Sequence, residues 1–159
     1  IINKFKEEIP DVAVRSSLIT GYPGEGDEEF NELASFVREI KFDRLGVFCY
    51  SPEEGTSAYT SFNKQVSKTL ARKRMEEIMK IQEGISLEKN MKKIGNTFRV
   101  LIDSKEGEFF VGRTEYDSPE VDNEVLIPAD NHKLSEGSFY DVEIFDALEF
   151  DLYGRLKNK

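Results

Sequence analysis

Apolar and polar positions change rhythm along this chain, and each rhythm predicts a different kind of element. Ile2, Phe5 and Ile9 fall at roughly helical spacing before Pro10 ends the run, which predicts a short opening helix. Val12 to Ile19 is rich in β-branched and aliphatic residues and predicts a strand. The pattern breaks at Gly21-Tyr22-Pro23-Gly24 and restarts near Asp27 as an amphipathic helix. Its buried stripe is Phe30, Leu33, Phe36, Val37 and Ile40. Glu28 and Glu29 in the first turn, and Arg38 and Lys41 near the end, suit the helix dipole. Arg44 to Tyr50 is a short apolar run and predicts a second strand, which runs straight into the loop Ser51 to Thr56.

Strand, helix and strand in this order form a βαβ unit, with parallel strands and a right-handed crossover. Ligands of α/β proteins sit at the carboxyl ends of such strands. The Gly21–Glu25 turn and the Ser51–Thr56 loop would lie side by side there, as a ligand rim or as two ordinary connections. Residues 57–65 are polar and read as turn. Lys68 to Lys93 predicts a long charged helix with a broken stripe of Ala71, Met75, Ile78 and Ile85, and with Gly84 as a weak point. The run Arg72, Lys73, Arg74 reads as a solvent face paired with Glu76 and Glu77.

After Gly95 the period falls to two. Asn96–Asp103, Glu108–Glu115, Glu124–Pro128, Ser138–Asp146 and Phe150–Leu156 predict short strands parted by turn signals such as Glu136-Gly137. Five short strands in so short a stretch predict a small antiparallel β-barrel of the OB type. The expected architecture is therefore α/β plus all-β, divided into residues 1–92 and 93–159.

Composition narrows the possible functions. No apolar run approaches the ~20 residues of a membrane span and no signal pattern opens the chain, so the expected setting is cytoplasmic, without a membrane partner. The first residue is Ile1, which suggests a fragment or a processed product. One cysteine, Cys49, cannot form an internal disulfide or a multi-cysteine metal site, and is expected to be a buried strand thiol. Of the net charge of −9, residues 1–92 hold 14 Lys+Arg against 16 Asp+Glu, and the remainder hold 8 against 15. So acidic a second half repels phosphate backbones and attracts basic partners, although solubility alone would also explain it.

The segments Arg15-Ser16-Ser17-Leu18-Ile19-Thr20-Gly21-Tyr22-Pro23-Gly24-Glu25 and Gly46-Val47-Phe48-Cys49-Tyr50-Ser51-Pro52-Glu53-Glu54-Gly55-Thr56 resemble late strands of the radical S-adenosylmethionine (SAM) methylthiotransferases. Gln82 to Asn90 resembles that family's bridge into its carboxy-terminal β-barrel, the TRAM domain. Gly112 to Val125 and Phe150 to Gly154 are similar to the family's ribosomal-protein branch rather than to its tRNA-modifying branches. The resemblance covers essentially the whole chain. It implies the carboxy-terminal units of a radical SAM (TIM-like) barrel followed by TRAM. It also implies transfer of a methylthio group to the β-carbon of an aspartate in protein twelve of the small ribosomal subunit, with tRNA as the alternative substrate.

The implied cofactors are SAM and two 4Fe–4S clusters. The family's CxxxCxxC motif and its other cluster cysteines are absent from these residues, so this chain alone is expected to be inactive. Arg15, Ile19 and Gly21 are expected to face SAM, with Pro52, Gly55 and Thr56 shaping the pocket edge. Arg15 would hold the SAM carboxylate or pair with a neighbouring strand's carboxylate. Tyr116, Asp117, Glu120, Asp122 and Asp130 are expected to form a patch for a basic protein, and His132 is expected to be an ordinary surface residue. Phe109, Phe110, Tyr140 and Phe145 offer aromatic surface, but with few nearby cations for RNA.

Overall fold

The computed structural model describes residues 1–9, 11–61, 65–119, 121–129 and 133–157. The chain divides into two compact units, Ile1–Ile85 and Ser86–Lys159, each with its own core. The first contains α1 (Ile2–Glu8), β1 (Arg15–Thr20), α2 (Asp27–Ile40), β2 (Arg44–Cys49), α3 (Ser57–Ser61) and most of α4 (Lys68–Met91). The second contains the end of α4, then β3 (Thr97–Glu106), β4 (Phe109–Arg113), β5 (Glu124–Pro128), β6 (Phe139–Ala147) and β7 (Asp151–Leu156).

In the first unit β1 and β2 pair in parallel, with Arg15 opposite Arg44 and Thr20 opposite Cys49. Strand alternation splits their side chains between two faces. Leu18, Leu45 and Val47 turn to a core built with Phe30, Ala34, Val37 and Ile40 of α2, Phe42, and Ile78 and Ile85 of α4. Arg15, Ser17, Ile19 and Phe48 lie on the other face, which is open. The α2 stripe turns slightly from the expected one. Ala34 is buried and Phe36 is exposed, because the face i, i+4, i+7 from Phe30 is the one that meets the core. Glu29 accepts the Gly26 N–H at 2.9 Å and so ties down the start of α2. The segment expected to be turn contains α3, which begins where Thr56 Oγ1 accepts the Tyr59 N–H at 3.3 Å. Residues 62–64 of that segment lie outside the described residues.

Two further expectations fail in this unit. Cys49 is exposed rather than buried: it ends β2, and its Sγ lies 3.7 Å from Met75 Sδ. Arg74 does not face solvent with its basic neighbours. It is 3% exposed and occupies the same helix face as Ala71, Ile78 and Ile85.

The second unit is a closed barrel in the order β3-β4-β5-β7-β6, with β3 and β6 completing the ring. Its ladders are antiparallel except one. β5 and β7 run parallel, with Glu124 opposite Asp151, so the all-antiparallel barrel is corrected at that pair. Val100, Ile102, Phe110, Val125, Ile127, Val142, Ile144 and Leu152 fill the interior by inward alternation along the strands. Burying each contributes about 1.5–3 kcal/mol. A Cβ on Gly154 would lie 2.3 Å from Val142 Cγ1, so β6 and β7 approach where only glycine fits. Asn90, near the end of α4, is fully buried and donates through Nδ2 to the carbonyls of Leu148 and Glu149 at 2.9 and 3.1 Å. That side chain fastens the β6–β7 turn to the helix.

Candidate functional site

The open face of β1 and β2 grades from cationic to apolar along the strands. Arg15 and Arg44 sit opposite one another at the amino end, and Ser17 pairs with Gly46 in the middle. Ile19 pairs with Phe48 near the carboxyl end; these two are 53% and 59% exposed. Four residues of strand separate Arg15 from Ile19, about 13 Å. Two large apolar side chains left side by side in the open make a platform for a flat apolar ring.

Beyond the strand ends, Tyr22 and Tyr50 meet edge to face with centroids 5.3 Å apart, bridging the two carboxyl-end loops. The Tyr50 hydroxyl is buried without a hydrogen-bond partner among the described residues. Gly21 is buried and holds a left-handed φ of 76°, and a Cβ there would lie 2.3 Å from Ala71 Cβ. It therefore backs the rim rather than lining the open face. Pro52, Gly55 and Thr56 are exposed, and the Thr56 hydroxyl is engaged, donating to the Glu53 carbonyl at 2.8 Å.

The turn after β1 is held from behind by a buried polar cluster. Glu25 accepts the Gly21 N–H through both carboxylate oxygens at 3.1 Å. Arg74 donates to the Glu25 carboxylate at 2.8 Å and to its carbonyl at 3.0 Å, and to Asp27 at 2.7 Å. Its guanidinium also lies 5.2 Å from the centre of the Phe30 ring. The Asp27 side chain is exposed, so that arm contributes little. The Arg74–Glu25 pair is buried on both sides, and removing one partner would cost about 3–5 kcal/mol.

The barrel carries a second candidate surface. A cleft of about 430 Å³ is lined by Asp103, Glu106, Arg113, Asp122, Asn123 and Glu124, among others. Arg113 is its cation, and its Nε donates to both Asp103 oxygens at 3.0 and 3.1 Å. Burial raises the Glu124 pKa above the ordinary carboxylate value, and the charges of Asp151, Glu106 and Asp103 push it further the same way. Burial raises Asp151 as well, aided by Glu149. Asn123 is buried at the cleft, and its Nδ2 has no partner among the described residues.

The expected patch is only partly gathered. Asp117 is 6% exposed, not a surface carboxylate: it accepts the Thr114 hydroxyl at 2.5 Å and shapes the turn after β4. Asp122 is half-buried and accepts the Ser118 N–H at 2.6 Å while reaching the cleft edge. Tyr116 is half-buried. Glu120, Asp130 and His132 lie outside the described residues. Asp103, Glu106, Glu124 and Asp151 were not singled out from the sequence, because their proximity depends on strand register.

The aromatic surface also differs. Phe110 is in the core, and Lys105 lies 5.6 Å from its ring centre. Phe145 is exposed as expected, and so is Phe139, which has the Arg99 guanidinium 4.4 Å from its centroid in a cleft of about 330 Å³ that Arg113 also lines. Cations do accompany aromatics on this barrel.

The model of the TRAM domain family matches residues 94–156, the residues of the closed ring. A ribosomal protein uS12 methylthiotransferase RimO of Parabacteroides distasonis is 46% identical over 158 residues, which is 99% of this chain and 36% of that protein. The protein of the same name from Christiangramia forsetii is 50% identical over 158 residues, 99% of this chain and 35% of its own length. That from Bacteroides thetaiotaomicron is 46% identical over 159 residues, 100% of this chain and 36% of its own. The chain belongs to the RimO methylthiotransferase family. It spans about a third of the length of these curated relatives. A RimO relationship joins both units, because the aligned residues run through the β1–β2 face as well as the TRAM barrel.

Proposed function

We propose that this chain serves as the carboxy-terminal part of a radical SAM enzyme that adds a methylthio group to the β-carbon of an aspartate in ribosomal protein uS12. In this reading the β1–β2 face holds SAM and the TRAM barrel grips the basic substrate protein. The observation that carries it is the cross-strand pair Glu124 and Asp151 beside Glu106 and Asp103. Like charges set opposite each other in a barrel work against folding. A partner that brings lysine or arginine side chains to the cleft relieves that repulsion, and phosphate would add to it.

The open face suits SAM in kind. Ile19 and Phe48 offer an apolar bed for the adenine, and Arg15 with Arg44 offers cations for the carboxylate. Bound SAM would supply the methyl group in one use and, in another, after accepting one electron from an iron–sulfur cluster, the radical that takes hydrogen from the substrate carbon. Iron–sulfur ligation does not fit these residues: one thiol cannot hold a cluster, and no group of three metal-binding side chains occurs among the described residues. Cluster ligands must come from elsewhere in the complete enzyme. Work on ribosomal protein would place that enzyme in the cytoplasm.

A tRNA-modifying role is the second reading, and Arg99 stacked on the exposed Phe139 ring favours it, as a place for a base. The deciding experiment is binding of the 159-residue chain to uS12 and to tRNA at low and moderate salt. Preference for uS12, weakening with salt and several-fold weaker in E124Q/D151N, is the expected result. Preference for tRNA that survives in E124Q/D151N and is lost in F139A would overturn it.

A further inference from the structure

We propose that Arg74 is a positioning residue for the SAM site, acting through Glu25 on the turn that follows β1; this rests on the role given above to the β1–β2 face. A guanidinium keeps its charge, so a site 3% exposed tolerates it only when its donors are used. Here one nitrogen spans the carbonyl and the carboxylate of Glu25, at 3.0 and 2.8 Å, and another reaches Asp27. The same Glu25 carboxylate takes the Gly21 N–H. The bonds therefore run from helix α4, through a side chain 49 positions earlier in the chain, to the first backbone amide beyond β1.

Two further contacts fasten the same turn to the same helix face. The Thr20 hydroxyl donates to the Ala71 carbonyl at 3.0 Å, and Gly21 packs against Ala71 so closely that no other side chain fits. Ala71 and Arg74 are three residues apart, hence one above the other on α4. A buried ion pair is seldom the most stable way to fill such a space; apolar side chains of similar volume do as well or better. What the pair adds is one fixed orientation of the turn, with directions set by the planar fork. That turn presents Tyr22 against Tyr50 at the rim beside Ile19 and Phe48. Moving it would shift the rim against a bound ligand.

The test uses the complete enzyme with R74K, E25Q and the double variant, R74Q serving if R74K does not fold. SAM dissociation constants, uS12 affinity and hydrogen exchange at the Gly21 amide are measured on each. R74K should weaken SAM binding by about tenfold, the scale typical of residues that orient a binding group. It should also speed Gly21 exchange and leave uS12 affinity unchanged. The double variant should bind SAM no worse than the weaker single variant, because both substitutions cut one chain of bonds. SAM binding by R74K at the wild-type level would overturn the proposal alone, and so would independent, additive losses. Absence of SAM binding by the wild-type enzyme would overturn the reading of the β1–β2 face, and this proposal with it.

Discussion

Arg15 is the cation on which the SAM reading of the open face leans most. Its position opposite Arg44 sets two cations about 13 Å from the apolar pair Ile19 and Phe48. A ligand held at both ends should lose affinity when one end is removed, while the chemistry at its centre continues. Arg15→Ala in the complete enzyme should therefore raise KM for SAM by roughly tenfold to a hundredfold, the cost of a charge-assisted contact, with kcat nearly unchanged. Initial rates across SAM concentrations check this, and an unaltered KM would remove Arg15 from the site. The sequence made Arg15 visible because it is the one cation in the apolar run Val12 to Ile19 that leads into a glycine turn. Arg74 was hidden by its neighbours: between Arg72 and Lys73 on one side and Glu76 on the other it reads as solvent face. Its spacing from Ala71 and Ile78 was the signal that it belongs to the buried stripe.

Among the elements, the pairing of β5 with β7 has the clearest energetic consequence. Glu124 and Asp151 both have raised pKa values, so their ionised forms are disfavoured in the folded state. The sign follows from linkage. A carboxyl with a raised folded pKa contributes stability below its unfolded value, and that contribution is lost as pH rises through the folded value. Above that point repulsion and desolvation act in full. E124Q should therefore stabilise the chain by some tenths of a kcal/mol to about 1 kcal/mol near pH 7. The gain should fade as pH falls towards the ordinary carboxylate range. Denaturation of both forms from pH 7 to 4 measures it, and a gain that grew on acidification would contradict the assignment. Most of the elements were legible in the sequence, because period two and period 3.6 are local. Glu124–Pro128 emerges with the bounds expected of it. The parallel β5–β7 ladder was not legible: neighbouring strands in a chain suggest hairpins, and only closure of the ring brings residue 124 to residue 151.

For the whole molecule, the division into Ile1–Ile85 and Ser86–Lys159 predicts unequal independence. In the barrel unit every strand has two partners, and Asn90 brings the end of α4 into the same fabric. In the first unit the described sheet has two strands, so both of its edges offer unpaired backbone groups, and its open face exposes Ile19 and Phe48. Residues 86–159 expressed alone should unfold cooperatively and reversibly, by circular dichroism on heating and cooling. Residues 1–85 expressed alone should associate or precipitate at micromolar concentration, by light scattering. A monomeric, reversible 1–85 segment together with an unfolded 86–159 segment would reverse this account.

A ring without a free edge has no backbone left over with which to greet a visitor. Strand addition, the least selective way for one protein to hold another, is closed to this barrel. Whatever it holds is read by side chains and turns alone. Carboxylates along one cleft and an arginine on a phenylalanine at another can then be exchanged with little change to the ladder beneath them. The same scaffold can be readdressed from a basic protein to a nucleic acid, or back, by a handful of substitutions. Its inheritance is a shape, and its specificity is rewritten on the outside.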